Sequence, residues 1–138
     1  MKDLFKAVQS KDKKWVESLL KNNENVNVQD KLNQTPLFYA ILNKDLPMVL
    51  FLIEHSADIN HKDRQGRSPL HFAIQEYLEE IANILIERGA DVDAQDNNGN
   101  SPLNDAVFYS EGRGALISLL LSKGASKNLK NNSGMSPL

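Results

Sequence analysis

The sequence has no cysteine, which excludes a disulfide framework, a thiolate-bound zinc or iron–sulfur centre and a cysteine nucleophile. It also lacks an excess of one charge, since 16 basic and 18 acidic residues leave a formal net charge of −2. No global basic field for nucleic acid therefore exists. The longest apolar run, Leu46 to Ile53, is far too short to span a membrane. We expect a soluble cytoplasmic protein that binds neither membranes nor nucleic acid.

The residues that are present describe an ordinary folded chain. Hydrophobic residues make up 41% of the 138 positions and charged residues 25%. This composition supplies enough apolar surface to offset the chain entropy lost on folding. The length is that of one domain, so we predict a single domain over residues 1–138.

A repeat with a period of about 33 residues runs through the chain. The segment TPLFYA at 35–40 recurs as SPLHFA at 68–73 and as SPLNDA at 101–106, and SPL closes the chain at 136–138. Residues 30–62 and 63–95 share ten identities in 33 positions. Such self-similarity predicts a solenoid of stacked units. The approximate repeats are 1–29, 30–62, 63–95, 96–130 and a partial copy at 131–138.

One unit can be read from its letters in residues 63–95. Gly66 closes a turn, and Ser68 followed by Pro69 is the start signal of a helix. Apolar residues then follow at helical spacing, and Gly89 marks the end of a second helix. Two short helices cannot bury this much apolar surface alone, so neighbouring copies must cover it.

The pattern D-x-x-G-x-[TS]-P-L-H-x-A, followed by a leucine-rich stretch and G-A-D, is nearly complete from Asp63 to Asp93. It resembles the ankyrin repeat, and the resemblance covers essentially the whole chain. The resemblance implies an all-α repeat solenoid of stacked ankyrin repeats, each a helix–turn–helix with a β-hairpin-like loop. The predicted helices span 3–11, 14–21, 36–43, 47–54, 69–77, 80–87, 102–109 and 114–121.

Three features depart from the pattern. The fourth repeat holds two extra residues between its helices, in Phe108–Gly114, and we expect a projecting loop there. The loop either contributes to binding or is a neutral insertion, since surface loops tolerate extra residues. Trp15 replaces an aliphatic residue, and we predict that it packs in the core. The fifth turn stops at Leu138 and leaves an apolar face of the fourth repeat uncovered, at Leu116, Ile117, Leu119, Leu120 and Leu121. Truncation, a partner or a second copy would each explain that face.

No pattern of catalytic or cofactor-binding residues emerges. The chain has no phosphate-binding glycine loop and no nucleophile elbow. Of the three histidines, His71 occupies the motif position, whose role in the family is a structural hydrogen bond. Read as a calcium loop, Asp96–Gly99 has Ala94 where the first ligand belongs. We therefore predict no enzyme activity, no metal and no cofactor.

The resemblance implies a binding surface instead, formed by the hairpin tips and the exposed face of each first helix. Hydrophobic residues at such positions are unexplained by folding, although single exposed hydrophobes are normal. The predicted partner-binding residues are Leu32, Gln34, Leu42, Asn43, Arg64, Gln65, Arg67, Gln75, Glu76, Tyr77, Asn98, Asn100, Phe108, Tyr109 and Arg113.

Three hypotheses follow. The first is a monomeric protein-binding module, either an adaptor or a small inhibitor; the abundance of Asn, and of Lys over Arg, is compatible with a bacterial source and an immunity-type protein. The second is a structural spacer, or a fragment of a longer array that self-associates through the uncovered face. The third is an enzyme or a substrate for modification, and the second of these rests on Leu52 to Asn60, which is similar to a pattern hydroxylated in some ankyrin proteins.

Overall fold

Eight α-helices in four pairs make up the computed structural model, which describes residues 3–138. Every predicted helix is present, and its ends differ from the prediction by two residues at most. Within the described residues no regular strand occurs, and the loops between pairs are tight turns. The helices are α1 (Asp3–Gln9), α2 (Lys13–Lys21), α3 (Pro36–Leu42), α4 (Leu46–Glu54), α5 (Pro69–Gln75), α6 (Glu79–Glu87), α7 (Pro102–Phe108) and α8 (Ala115–Ser122).

The Ser-Pro and Thr-Pro pairs do start helices, as predicted. Ser68 caps α5 and Ser101 caps α7, and each forms a reciprocal capping box with the polar side chain three residues on, His71 or Asn104. Thr35 precedes α3 without a side-chain cap, and Phe38 at the third position has no polar side chain to complete a capping box. The buried Thr35 hydroxyl has no hydrogen-bond partner among the described residues.

Several turns carry ordinary residues in the left-handed region, where glycine is favoured. Tyr77 follows α5 with φ 54°, and Lys44 follows α3 with φ 56°. Ser56 has φ 73° where the third and fourth repeats place Gly89 and Gly124. Each such residue costs about 1–2 kcal/mol relative to glycine. The sequence departs from its own repeat here, and the fold keeps the same backbone geometry.

The first helix of each pair stacks on the first helix of the next, in the order α1, α3, α5, α7. Fully buried leucines fill the gaps between these helices, and small alanines allow a close approach. The equivalent residues are Leu4, Leu37, Leu70 and Leu103, with Ala7, Ala40, Ala73 and Ala106. One continuous core runs through all four repeats. The prediction of an all-α repeat solenoid is confirmed.

The turns between repeats also stack on one another. The Arg64 amide donates to the Leu32 carbonyl (2.8 Å), and the Asn97 amide donates to the Gln65 carbonyl (2.9 Å). Gly66 is required in this stack, because a Cβ there would lie 2.5 Å from Asn97 Oδ1. The successive turns therefore form one ladder along an edge of the solenoid.

Two packing predictions are wrong. Trp15 is 36% exposed rather than buried, since Val16 beside it takes the core position of α2. The apolar face of the fourth repeat is narrower than expected, because Leu116 and Leu120 are buried. Only Leu121 on that helix is exposed among the large hydrophobic residues. In residues 3–138 no helix is both long and apolar enough to cross a membrane.

Candidate partner-binding surface

The ends of the first helices form a row along the solenoid. Because α1, α3, α5 and α7 stack, their last residues lie at equivalent positions in successive repeats. These residues are Gln9, Leu42, Gln75 and Phe108, and the next ones along the chain are Ser10, Asn43, Glu76 and Tyr109. Polar residues occupy most of the row, so its hydrophobic members stand out.

Phe108 and Tyr109 form an aromatic pair at the end of α7. Phe108 is 80% exposed and Tyr109 is 40% exposed. Their ring centroids lie 4.9 Å apart in an edge-to-face arrangement. Phe108 is the most exposed of the large hydrophobic residues that the structure describes. Folding gains almost nothing from an aromatic ring held in water.

Leu32 and Leu42 are also exposed, but they do not join that pair in one patch. Leu32 lies in the turn before α3, and Leu42 lies at the other end of that helix, whose seven residues span about 10 Å at 1.5 Å per residue. Two helix-to-helix steps of about 8–10 Å separate Leu42 from Phe108, with Gln75 between them. The aromatic pair is therefore the single concentrated hydrophobic feature of the row.

A cleft of about 480 Å³ lies beside the aromatic pair, between α7 and the C-terminal segment. Phe108 and Tyr109 line one side, and Met135 and Pro137 line the other. Met135 is 64% exposed, whereas Pro137 is buried. Asp105 is also among its lining residues, although that side chain is only 5% exposed.

Asp105 is a buried carboxyl group that lies close to Gln75, His71 and Asp96. Its Oδ2 accepts a hydrogen bond from Gln75 Nε2 (3.0 Å), which is the only hydrogen bond to the carboxyl from residues 3–138. Burial raises the pKa of Asp105 to about 7, and the nearby Asp96 adds to the rise. The Gln75 hydrogen bond and the Arg67 charge act in the opposite direction. The group therefore titrates near neutral pH.

Two models of known protein families match the sequence. A family model described as "Ankyrin repeats (3 copies)" matches residues 4–96, and one described as "Ankyrin repeat" matches residues 98–132. The chain belongs to the ankyrin repeat family. Ankyrin repeats are in general protein–protein interaction modules and typically have no catalytic role. No curated protein matches the sequence.

Not all ankyrin positions that we predicted to meet a partner face solvent. Gln34 is 6% exposed, and its Nε2 donates to Asp63 Oδ2 (3.3 Å), so its prediction as an exposed contact is wrong. Arg67 is half-buried, with its Nη2 3.1 Å from the same Asp63 oxygen and its guanidinium over the Phe72 ring. Gln75 is half-buried and holds Asp105. Gln34 and Gln75 each donate to a carboxyl group of the next repeat, whereas Arg67 pairs within its own repeat.

Other predicted contacts remain available on the surface. Arg64, Gln65, Glu76 and Asn98 are exposed, whereas Asn43 is half-buried. Asn100 is also half-buried, and its Oδ1 accepts a hydrogen bond from Asn131 Nδ2 (2.8 Å). Arg64, Gln65 and Asn98 lie on the turns that precede the first helices, and Glu76 belongs to the row of helix ends described above.

The two-residue insertion of the fourth ankyrin repeat folds back on the third. Arg113 places its guanidinium 3.8 Å from the centroid of the Tyr77 ring, and its Nη2 lies 3.6 Å from Glu111 Oε2. Tyr77 is half-buried beneath it. Arg113 and Tyr77 thus contact each other, and the loop does not project freely as predicted.

The family histidine performs the structural role that the motif implies. His71 Nε2 lies 2.9 Å from the Asn100 carbonyl, and its Nδ1 accepts from the Ser68 amide (3.1 Å). These contacts assign the proton to Nε2, and burial lowers the pKa of His71 so that the ring stays neutral. His71, Asp96 and Asp105 have ligand atoms within 4.8 Å of one another. With both nitrogens engaged, the histidine has no lone pair to offer a metal.

Asn60, the candidate for modification, bridges two repeats. Its Oδ1 accepts from the Asp91 amide (2.8 Å), and its Nδ2 donates to the Gly89 carbonyl (3.1 Å). Asn27 makes the equivalent contacts one repeat earlier, to Asp58 and Ser56. Packing between repeats alone therefore accounts for asparagine at this position.

Sequence reasoning missed Asp105, although its signal was present. In the aligned repeats Asp105 occupies the position of Tyr39 and Phe72, both aromatic. Burying a carboxylate where the other repeats bury an aromatic ring costs free energy unless a neighbouring group compensates the charge. A comparison of the copies position by position would have marked it.

Proposed function

We propose that this ankyrin protein is a non-catalytic binding module that captures a partner protein along its turn tips and first-helix ends. The observation that carries the proposal is the exposed pair of Phe108 and Tyr109. Aromatic side chains that fill a partner's pocket supply much of the energy of protein interfaces. The pair lies on a rigid helix end, so little entropy is lost when it is covered.

Exposed polar residues on the turns and at the end of α5 suit the rim of such an interface. Arg64, Gln65, Glu76 and Asn98 are exposed and of mixed charge. Residues of this kind contribute mainly orientation and solvent exclusion, while the aromatic anchors contribute affinity. In our proposal the chain acts as one domain in the cytoplasm and works as an adaptor, or as a small inhibitor that occludes its partner.

Replacement of the aromatic pair tests this function. The partner is first isolated with the wild-type chain and purified, and its affinity is then measured by calorimetry. For F108A/Y109A we expect a loss of about 10- to 100-fold, in the range of interface hot spots. Trp15→Ala is the matched control, because Trp15 is exposed on the first repeat, far from the cleft. Equal affinities for wild type and F108A/Y109A would refute the assignment.

Self-association is the second candidate, and one observation favours it. Leu121, Met135 and Leu138 are exposed at the same end of the solenoid, at 38%, 64% and 59%. A second copy covering them would give dimers whose population rises with concentration. Sedimentation of wild type and Leu121→Lys distinguishes the cases, since the substitution abolishes dimers in this candidate and changes nothing in a monomer.

A further inference from the structure

The turns of the second, third and fourth repeats each begin with an aspartate, and in the first two of these the two carboxylate oxygens have different roles. In the second repeat Asp30 Oδ1 accepts from the turn's own amides, and Oδ2 accepts from the Tyr39 hydroxyl. In the third repeat Asp63 Oδ1 again bonds its turn, and Arg67 donates to Oδ2 (3.1 Å). Both repeats thus supply a donor of their own for the second oxygen.

The fourth repeat lacks that donor. Asp96 Oδ1 accepts from the amides of Asn98 and Asn100 (2.9 Å each), but its Oδ2 receives no hydrogen bond from residues 3–138. Asn100, a neutral residue, stands where the third repeat has Arg67. The position of the aromatic residue is taken by a second carboxyl group, Asp105. Two acidic groups therefore lie close together without a cation from their own repeat.

Asp105 also shares a helix face with the aromatic pair. Phe108 and Tyr109 follow it by three and four residues, so the three side chains lie on the same side of α7. Gln75 satisfies one carboxyl oxygen, and the other has no described partner. The cleft beside α7 thus combines a buried, half-satisfied carboxyl group with an exposed aromatic wall.

We propose that this cleft binds an arginine side chain of the partner, with its guanidinium on the Asp105 carboxylate and its planar group and stem against Phe108 and Tyr109. The proposal rests on the proposed function, and it adds the chemistry that the partner must present. A buried carboxylate gains most from a ligand that both neutralises it and fills its open hydrogen-bonding position.

Arginine fits better than lysine because of its shape. A guanidinium is planar, stacks on aromatic rings and pairs with carboxylates at the same time. The chain itself uses this arrangement, since Arg67 lies over the Phe72 ring (4.4 Å) while it pairs with Asp63. Arg67 is committed to Asp63 and cannot also serve Asp105 at hydrogen-bond distance.

The binding is coupled to a proton. The charged groups around Asp105 are Asp96 on the turn and Arg67 before α5, while His71 on α5 is neutral. Arginine binds the ionised carboxylate, so its affinity is full above the free pKa of about 7. Below that pH the affinity falls as the carboxyl group becomes protonated, and the total fall equals the factor by which arginine lowers the Asp105 pKa.

Two small probes test the inference. N-acetyl-arginine N-methylamide carries the guanidinium, and the citrulline analogue has nearly the same shape without the charge. Titration of the full chain followed by NMR should shift signals of Asp105, Phe108 and Met135 with the arginine probe. At pH 8 we expect about a tenfold preference over citrulline, with a matching drop of about one unit in the pKa of Asp105. At pH 5.5 the preference should vanish.

Asp105→Asn is the decisive variant, since asparagine keeps the acceptor for Gln75. We expect it to fold and to bind both probes equally weakly. Equal binding of the two probes by the wild type at pH 8, or a preference that survives in Asp105→Asn, would overturn the proposal. Such a failure is distinguishable from failure of the proposed function, because loss of partner affinity in F108A/Y109A is measured independently of arginine.

Discussion

Arg113 and Tyr77 join the third and fourth repeats through a stacked contact, with the guanidinium 3.8 Å from the ring centroid. Tyr77 lies in the left-handed region (φ 54°) at the end of the third repeat's first helix. Arg113 belongs to the two-residue insertion that the other repeats lack. The insertion therefore adds one more link between repeats to the hydrogen bonds of the stacked turns.

Removal of this link should weaken the fourth repeat. For Arg113→Ala we expect a loss of about 0.5–1 kcal/mol, the range of an exposed cation–π contact. Urea unfolding followed by circular dichroism measures it. Arg88→Ala serves as the control, because Arg88 is exposed and makes no described side-chain bond. Equal stability of the two variants would show that the stack contributes nothing.

The titration of Asp105 should make stability depend on pH. Its pKa is raised from 3.8 to about 7 in the folded state, so the folded protein holds more protons between those values. The contribution of Asp105 to the free energy of unfolding therefore falls as pH rises from about 4 to 7. Because one pKa unit corresponds to about 1.4 kcal/mol, the loss is at most roughly 4 kcal/mol.

Asp105→Asn should remove that loss. We expect the variant to exceed the wild type by about 2–4 kcal/mol at pH 8 and to match it near pH 4. Denaturant unfolding across this pH range gives the difference. Glu24→Gln removes one exposed charge and should leave the profile unchanged. The assignment would be contradicted if the stability difference between Asp105→Asn and the wild type did not grow as pH rises from 4 to 7.

Gly66 and Gly124 form a matched pair for testing the stacked turns. Both have positive φ, at 77° and 89°, so alanine is strained at either position. Only at Gly66 would a Cβ also clash, at 2.5 Å from Asn97 Oδ1 and 2.8 Å from the Asn97 amide nitrogen. We expect Gly124→Ala to cost about 1 kcal/mol and Gly66→Ala about 1–3 kcal/mol more. Equal unfolding temperatures for the two variants would show that the stacked turns shift to accommodate the added Cβ at little cost.

The aromatic pair should be dispensable for folding. Phe108 is 80% exposed and Tyr109 40% exposed, and neither ring belongs to the hydrophobic core, so truncation of the pair leaves that core intact. We expect F108A/Y109A to unfold within about 0.5 kcal/mol of the wild type, as surface substitutions do. Leu103→Ala, at a fully buried position of the same helix, should cost about 2–5 kcal/mol. A large loss in F108A/Y109A would mean that the pair is structural.

The fold was predictable because the repeat period, the Ser-Pro helix starts and the apolar spacing agree with one another. Every helix was placed to within two residues from these signals. Which side chains contact each other across repeats was not predictable in the same way. Gln34 is buried against Asp63, and Arg113 stacks on Tyr77, because distant positions meet only after the repeats have stacked.

The sequence predicted one part of the candidate site, the aromatic pair, but not the cleft beside it. Phe108 and Tyr109 stood out because the equivalent residues in the third repeat are Gln75 and Glu76. The cleft beside them was hidden, because it depends on where the C-terminal segment lies against α7. Asp105 could have been found by alignment of the repeats, but its burial needed the structure.

Hydroxyl-radical footprinting of the partner complex tests the central claim most directly. Phe108, Tyr109 and Met135 are exposed and react readily with the radical, and Trp15 is an exposed reference in the first repeat. We predict that partner binding lowers the oxidation of those three side chains severalfold and leaves Trp15 unchanged. Unchanged oxidation of Phe108 and Tyr109 in a saturated complex would contradict the account.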